Sequence, residues 1–228
     1  MTTFPEIFET RQAILSTMKH LTVQNDRGKV TVQMLAEHCN ISRKTFYYHF
    51  ADIFELSKWI FRSELGSLLT KNFPDRDLVF LPADCREGYP ELPYYARSTV
   101  GIRQLDGSLF FELFYGYFEE NRSFYKALLS SSSSNFSRYA CKLYRRALQD
   151  DICFILGGRR FPADAVNQLA GFFANGVVLG FVDAVVNTNR NLKTLIPEEF
   201  PNLVHDALSS TINCFIRQKK NAFSFFEL

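Results

Sequence analysis

The stretch from Thr31 to Phe50, TVQMLAEHCNISRKTFYYHF, constrains this chain more than any other. Thr31 and Ser42 each precede a short run with helical potential, and a short hydroxyl side chain satisfies the free amides of a first helical turn. The spacing predicts one helix from Val32 to about His38 and another from Arg43 to about His49. Cys39-Asn40-Ile41 leaves only a few residues between them, the length of a helix-turn-helix connection. On the second helix Phe46 and Phe50 are four apart and share a face, so they can pin it to a core. Lys44, Thr45, Tyr47 and Tyr48 then point away from that face. Such a side suits a major groove, where threonine meets a thymine methyl and tyrosine or lysine reaches base edges or phosphates. His49, at the margin, can hydrogen-bond a phosphate. Thr31 and Arg43, near helix N-termini, are further phosphate contacts. The plainer alternative is an aromatic-rich surface helix with no partner.

The remaining pattern is helical almost throughout. A helix from about Pro5 to Val23 carries Ile7, Ile14, Leu15, Met18 and Leu21 on one stripe, and the polar turn from Asn25 to Lys29 ends it. Asp52 is placed to cap a fourth helix from Ile53 to about Leu69, with Leu56, Ile60, Leu65 and Leu68 inward. Between Asn72 and Val100 four prolines and Gly88 exclude a long regular helix; an ordered lid and a simple connection are both open there. Helical signals return from about Gln104 to Glu119. Asn121 then starts a short helix to Leu129, and Ser130–Ser134 interrupts. An amphipathic helix runs from Asn135 to about Leu156, with Tyr139, Leu143, Leu148, Ile152 and Ile155 available for packing, and stops at Gly157-Gly158. Pro162 opens an apolar helix to about Asn187, and the last helix runs from about Glu199 to Lys219. The sum is an all-α chain of about nine helices without a competing strand pattern. A three-helix head (1–52) joins a larger helical body (53–228).

Composition narrows the function classes. The net charge of +2 provides no global basic field, so any affinity for nucleic acid has to come from a local patch. Five cysteines without CxxC spacing and four histidines give no metal-ligand set, and His38-Cys39 reads as helix-end packing. No nucleophile–base spacing or phosphate loop appears, so the sequence predicts neither an enzyme nor a cofactor. Free thiols without a signal peptide point to a reducing cytoplasm. Leu169 to Val186 is long enough to span a membrane, but Asn175, Asp183 and three glycines favour a helix buried at a protein interface.

With its Thr-Val start, the Ala in the first of the paired helices, the Ile-Ser turn and Thr-Phe-Tyr-Tyr-His-Phe, the Thr31–Phe50 stretch resembles the DNA-binding head of TetR-family transcription regulators. The likeness covers roughly residues 10 to 60; beyond that only the helical layout and FFANGVVLGFVDAVV are similar. The resemblance implies a homodimer paired through its last two helices, with two heads on a palindromic double-stranded DNA operator. It also implies a small-molecule effector inside the body and, more often than not in this family, a repressor. Phe110, Phe114, Tyr117, Tyr139 and Phe172 are aromatic residues available to line that pocket, and packing in the core is the plainer alternative for most of the aromatic residues in the body. The chain departs from the family where lysines often follow the Tyr-Tyr-His-Phe motif and contact phosphates. Here Ala51-Asp52-Ile53 stands, and residues 1 to 62 carry eight bases against six acids, a head charge of only +2. This implies a shallow salt dependence of DNA binding, and it motivates an alternative: a head that has drifted from operator binding toward docking another protein.

Overall fold

Helices α1 (Phe4–Gln24), α2 (Val32–His38) and α3 (Arg43–His49) make the head of the protein, seen in a computed structural model that describes residues 4–24, 29–85, 88–130 and 135–224. The Oγ1 of Thr31 accepts from the Met34 amide at 3.2 Å and the Oγ of Ser42 from the Thr45 amide at 2.9 Å. Each cap contributes roughly 1 kcal/mol to its helix. Ile14, Leu15, Met18 and Leu21 of α1, Leu35 of α2, and Phe46 and Phe50 at α3 are buried in one apolar cluster with Leu56, Trp59 and Ile60. The last three belong to α4 (Ile53–Asn72), which Asp52 caps through a 2.7 Å bond to the Glu55 amide. Helix α4 outruns its predicted end by three residues and stops at extended Phe73, whose backbone Pro74 keeps out of the helical region. The predicted turn at 25–28, the serine break at 131–134 and the side chain of Ile7 lie outside the described residues.

The proline-rich segment forms strands that the sequence pattern did not reveal. Strand β1 (Leu78–Val79) pairs antiparallel with β2 (Tyr95–Ala96), and β3 (Ser98–Gly101) pairs with β4 (Gln104–Asp106) across a bulge after Thr99. Runs of two to four residues are too short to display a period of two. They also push the start of the next helix from Gln104 to Ser108. The buried Arg62 of α4 holds this segment down. Its guanidinium donates to the carbonyls of Gly88 at 3.2 Å, Tyr89 at 2.8 Å and Leu92, and it lies 5.5 Å from the Tyr94 ring. Tyr89 reaches back to donate to Glu55 at 2.6 Å.

The body continues with α5 (Ser108–Glu120), α6 (Arg122–Leu129), α7 (Phe136–Leu156), α8 (Ala163–Asn187) and α9 (Leu203–Ser224), which makes nine α-helices among the described residues. Asn121 closes α5 by donating to the Tyr117 carbonyl at 2.8 Å, and its side chain gives α6 no cap, contrary to the sequence reading. Gly157 and Gly158, at φ +53° and +81°, turn the chain out of α7 in the left-handed region. Pro201 delays α9 to Leu203, four residues past its expected start. Helix α7 packs along α8 and against α9, while α1 packs on α6, so head and body share one apolar cluster. Arg122 donates to the Ala184 and Thr188 carbonyls at 2.8 and 2.6 Å, satisfying the end of α8. By length and composition α8 is apolar enough to cross a membrane, yet only 33% of its most apolar stretch is buried.

Candidate nucleic-acid interface and body cavity

The turn between α2 and α3 is set by Asn40, at φ +52°. The Ile41 amide donates to the Ala36 carbonyl at 2.9 Å and the Asn40 amide to the Glu37 carbonyl at 3.2 Å. This is the paired bonding that ends a helix on a left-handed residue. Asn tolerates that conformation where most side chains do not, a signal present in the sequence but not used there. With the turn so fixed, the Phe46 and Phe50 rings, 5.9 Å apart, face inward, and Phe50 packs 5.5 Å from Trp59. The outer side of α3 then carries Arg43, Lys44, Tyr47 and Tyr48, the two tyrosines 49% and 70% exposed. Thr45 is half-buried and its hydroxyl is 2.8 Å from that of Ser42, which leaves its methyl as the contact surface. Thr31 is exposed, and accepting the cap bond leaves its hydroxyl proton to donate.

His49 sits less openly than its neighbours. Its Nδ1 is buried with no hydrogen-bond partner among the described residues, and its ring meets Tyr48 edge-on at 5.2 Å. Burial, and then the Arg11 guanidinium, hold its pKa below the ordinary 6.5. A phosphate can therefore meet a neutral ring at neutral pH, through Nε2 alone. Arg11 itself lies 5.7 Å from both the Phe50 and Trp59 rings. The predicted DNA-facing residues thus share one region, but the cations in it are few.

The fold has a solved counterpart. The chain is similar to a structure described as the dihydroxyacetone kinase operon activator DhaS, with a TM-score of 0.51 at 15% sequence identity. The likeness spans 90% of this chain and 97% of that one, and at such identity it establishes the fold alone. No protein-family model matches the sequence, and no curated protein does.

Inside the body a cavity of about 50 Å³ is lined by rings from four helices and β2, among them Phe61, Tyr95, Phe110, Phe114, Tyr144 and Phe181. Of the aromatic residues that the sequence offers for a pocket, Phe110 and Phe114 line this cavity, and Tyr117, Tyr139 and Phe172 do not. The Tyr117 hydroxyl turns to Glu64 at 2.9 Å and to Tyr125. Tyr139 packs edge-on to Phe54 and accepts from Arg62 at 3.4 Å, and Phe172 is 74% exposed on α8. Sequence reasoning missed Tyr94 and Tyr95, whose only signal is an aromatic pair inside the proline-rich segment. Behind Tyr95 lies a buried polar cluster. Its hydroxyl donates to Asp151 Oδ2 at 3.0 Å and lies 3.1 Å from His205 Nε2, itself 3.0 Å from the same oxygen. The other carboxylate oxygen is 2.8 Å from Arg97 Nε, off the hydrogen-bond direction, so that contact is Coulombic. The cluster ties the cavity wall to α7 and α9.

Proposed function

We propose that this protein is a DNA-binding transcription regulator of the TetR type, a cytoplasmic homodimer acting as a repressor. The observation that carries the reading is the outer side of α3: Arg43, Lys44, Tyr47 and Tyr48 exposed on a helix pinned from behind by Phe46 and Phe50. Thr31, Arg43 and Lys44 contact phosphates, Thr45 and Tyr47 meet base edges, and Tyr48 and His49 complete the contact at the rim. The division at residue 52 is functional, since α4 belongs to the apolar core of both parts. The solved counterpart's description as an operon activator is consistent with transcriptional control and leaves the sign of control to experiment.

Dimerisation follows from α8. Phe172 and Leu179 are 74% and 64% exposed, and Gly176 and Gly180 have open space beyond Cα. A second copy crossing there with α9 forms a four-helix bundle and sets the two heads at a fixed spacing on a palindrome. An effector in the body acts by differing in affinity for two head separations.

A gel shift on the DNA upstream of the protein's own gene tests the reading. A second reading has a specific motive: Ala51 and Ile53 stand where phosphate-contacting lysines are expected, and Ile53 packs against the core. In that reading the head docks a protein partner. Absence of any retarded species at low salt favours the second reading and ends the first.

A further inference from the structure

The aromatic cavity and an open, polar cleft of about 460 Å³ share one wall. Leu143 of α7 lines both. Around the cleft Lys142, Arg145 and Arg146 set three cations against one carboxylate, Asp150. Tyr94 lines the cavity only. Its hydroxyl is within electrostatic reach of two cleft residues, Asp150 and Arg146: burial and then Asp150 raise its pKa, while Arg146, and Arg97 outside the cleft, oppose them. The hydroxyl is therefore a donor at any physiological pH. Although buried, it has no hydrogen-bond partner among the described residues, and neither has the hydroxyl of Tyr144, which also lines the cavity. Buried hydroxyls in that condition are rare and are satisfied when a group with an acceptor enters.

We propose that the body binds a small aromatic carboxylic acid, its ring entering the aromatic cavity past Leu143 and its carboxylate held at the cleft by Arg146 and Lys142. The Tyr94 hydroxyl donates to the same carboxylate. The inference deepens, and rests on, the reading of the body as an effector domain. A cationic ligand would meet three like charges, and a purely apolar one would leave the hydroxyls unsatisfied. Size limits the ring. An apolar cavity of about 150 Å³ takes benzene, so a cavity of about 50 Å³ admits one ring only if its walls part. The Phe114 and Phe181 rings, 5.2 Å apart, belong to α5 and α8. Separating them moves α8 against α5, and so moves the helix on which the dimer depends.

Thermal unfolding and calorimetry on the full chain, without DNA, provide the test. Phenylacetate, benzoate and indole-3-acetate are compared with phenylacetamide and with phenethylamine. The acids should bind about tenfold or more tighter than the amide, the order of one charge-assisted hydrogen bond, and the amine should not bind. Arg146→Gln and, separately, Lys142→Gln should remove most of the acid's advantage without weakening the amide; Tyr94→Phe should weaken the acid more than the amide. Equal binding of acid and amide overturns the carboxylate assignment. Failure of every probe overturns the site. Either failure leaves the DNA reading standing, because the gel shift scores that reading independently.

Discussion

Lys19 pairs with Glu64 at 2.7 Å, Lys58 pairs with Glu55, and Arg62 is buried beneath the carbonyls of residues 88–92. Arg11 is spent over the Phe50 and Trp59 rings. Among the described residues of α3 this leaves Arg43 and Lys44 for phosphates, so the nearly neutral head charge overstates what that helix offers DNA. The proposed complex should therefore show a salt slope no steeper than about −8 for two heads. Ala51 is exposed just past α3, so Ala51→Lys should steepen that slope by about 1.8 per dimer, at roughly 0.9 for each restored contact. A salt titration in which the variant parallels the parent would remove Ala51 from the DNA surface. His49 yields a second expectation at this scale. Its folded pKa lies below 6.5, so between the two values the unfolded chain binds more protons and stability rises with pH. The contribution is complete above 6.5 and is lost as pH falls through the lowered value. Denaturant unfolding between about pH 7.5 and 5.5 should weaken less steeply in His49→Gln than in the parent; identical slopes would contradict the assignment.

Among the elements, α2, α3 and the starts of the flanking helices were legible because their signals are local. Thr31, Ser42 and Asp52 each make the cap bond their position predicts, and Phe46 and Phe50 face inward as a four-residue spacing requires. What the sequence hid depends on distant partners. Strands β1 and β2 pair across sixteen or more positions with two residues each, and they persist because Arg62 supplies donors to the loop carbonyls between them. Two of the aromatic residues offered for a pocket stand away from the cavity for the same reason. Tyr117 and Tyr139 found polar partners on α4, Glu64 and Arg62, that helical periodicity does not register. Arg62 is thus the residue on which the 88–94 segment depends. Its buried donors face carbonyls and no carboxylate among the bonds seen, so Arg62→Leu removes the clamp without stranding an acid partner. The loop carbonyls left without donors should then cost about 3 kcal/mol, which lowers Tm by roughly 6–12 °C for a chain of this size. Differential scanning calorimetry checks the shift, and protease cleavage confined to residues 78–106 would show that the loss is local.

For the whole molecule the decisive surface is the outer side of α8. Only a third of the most apolar stretch of this helix is buried, which favours a covering partner, and its exposed stripe contains the small residues that let two backbones approach. Asp183, also exposed, and its bond to Asn187 at 2.7 Å add polarity at one end, which suits a protein partner better than hydrocarbon. Phe172, Gly176, Leu179 and Asp183 recur every three or four residues and so share one face, the face on which the proposed pairing would run. Leu179→Glu sets a carboxylate on each copy at the centre of that contact, where neither finds a counter-charge. Because Leu179 is exposed within one chain, the variant should keep its helical content and unfold near the parent temperature. Sedimentation should nevertheless show a monomer at micromolar concentration. Affinity for a palindromic site should fall by about a hundredfold or more, since the second head no longer binds at an intramolecular effective concentration. If Leu179→Glu and Phe172→Glu both sediment with the parent, the pairing does not run through α8, and the spacing of the two heads has to be set elsewhere.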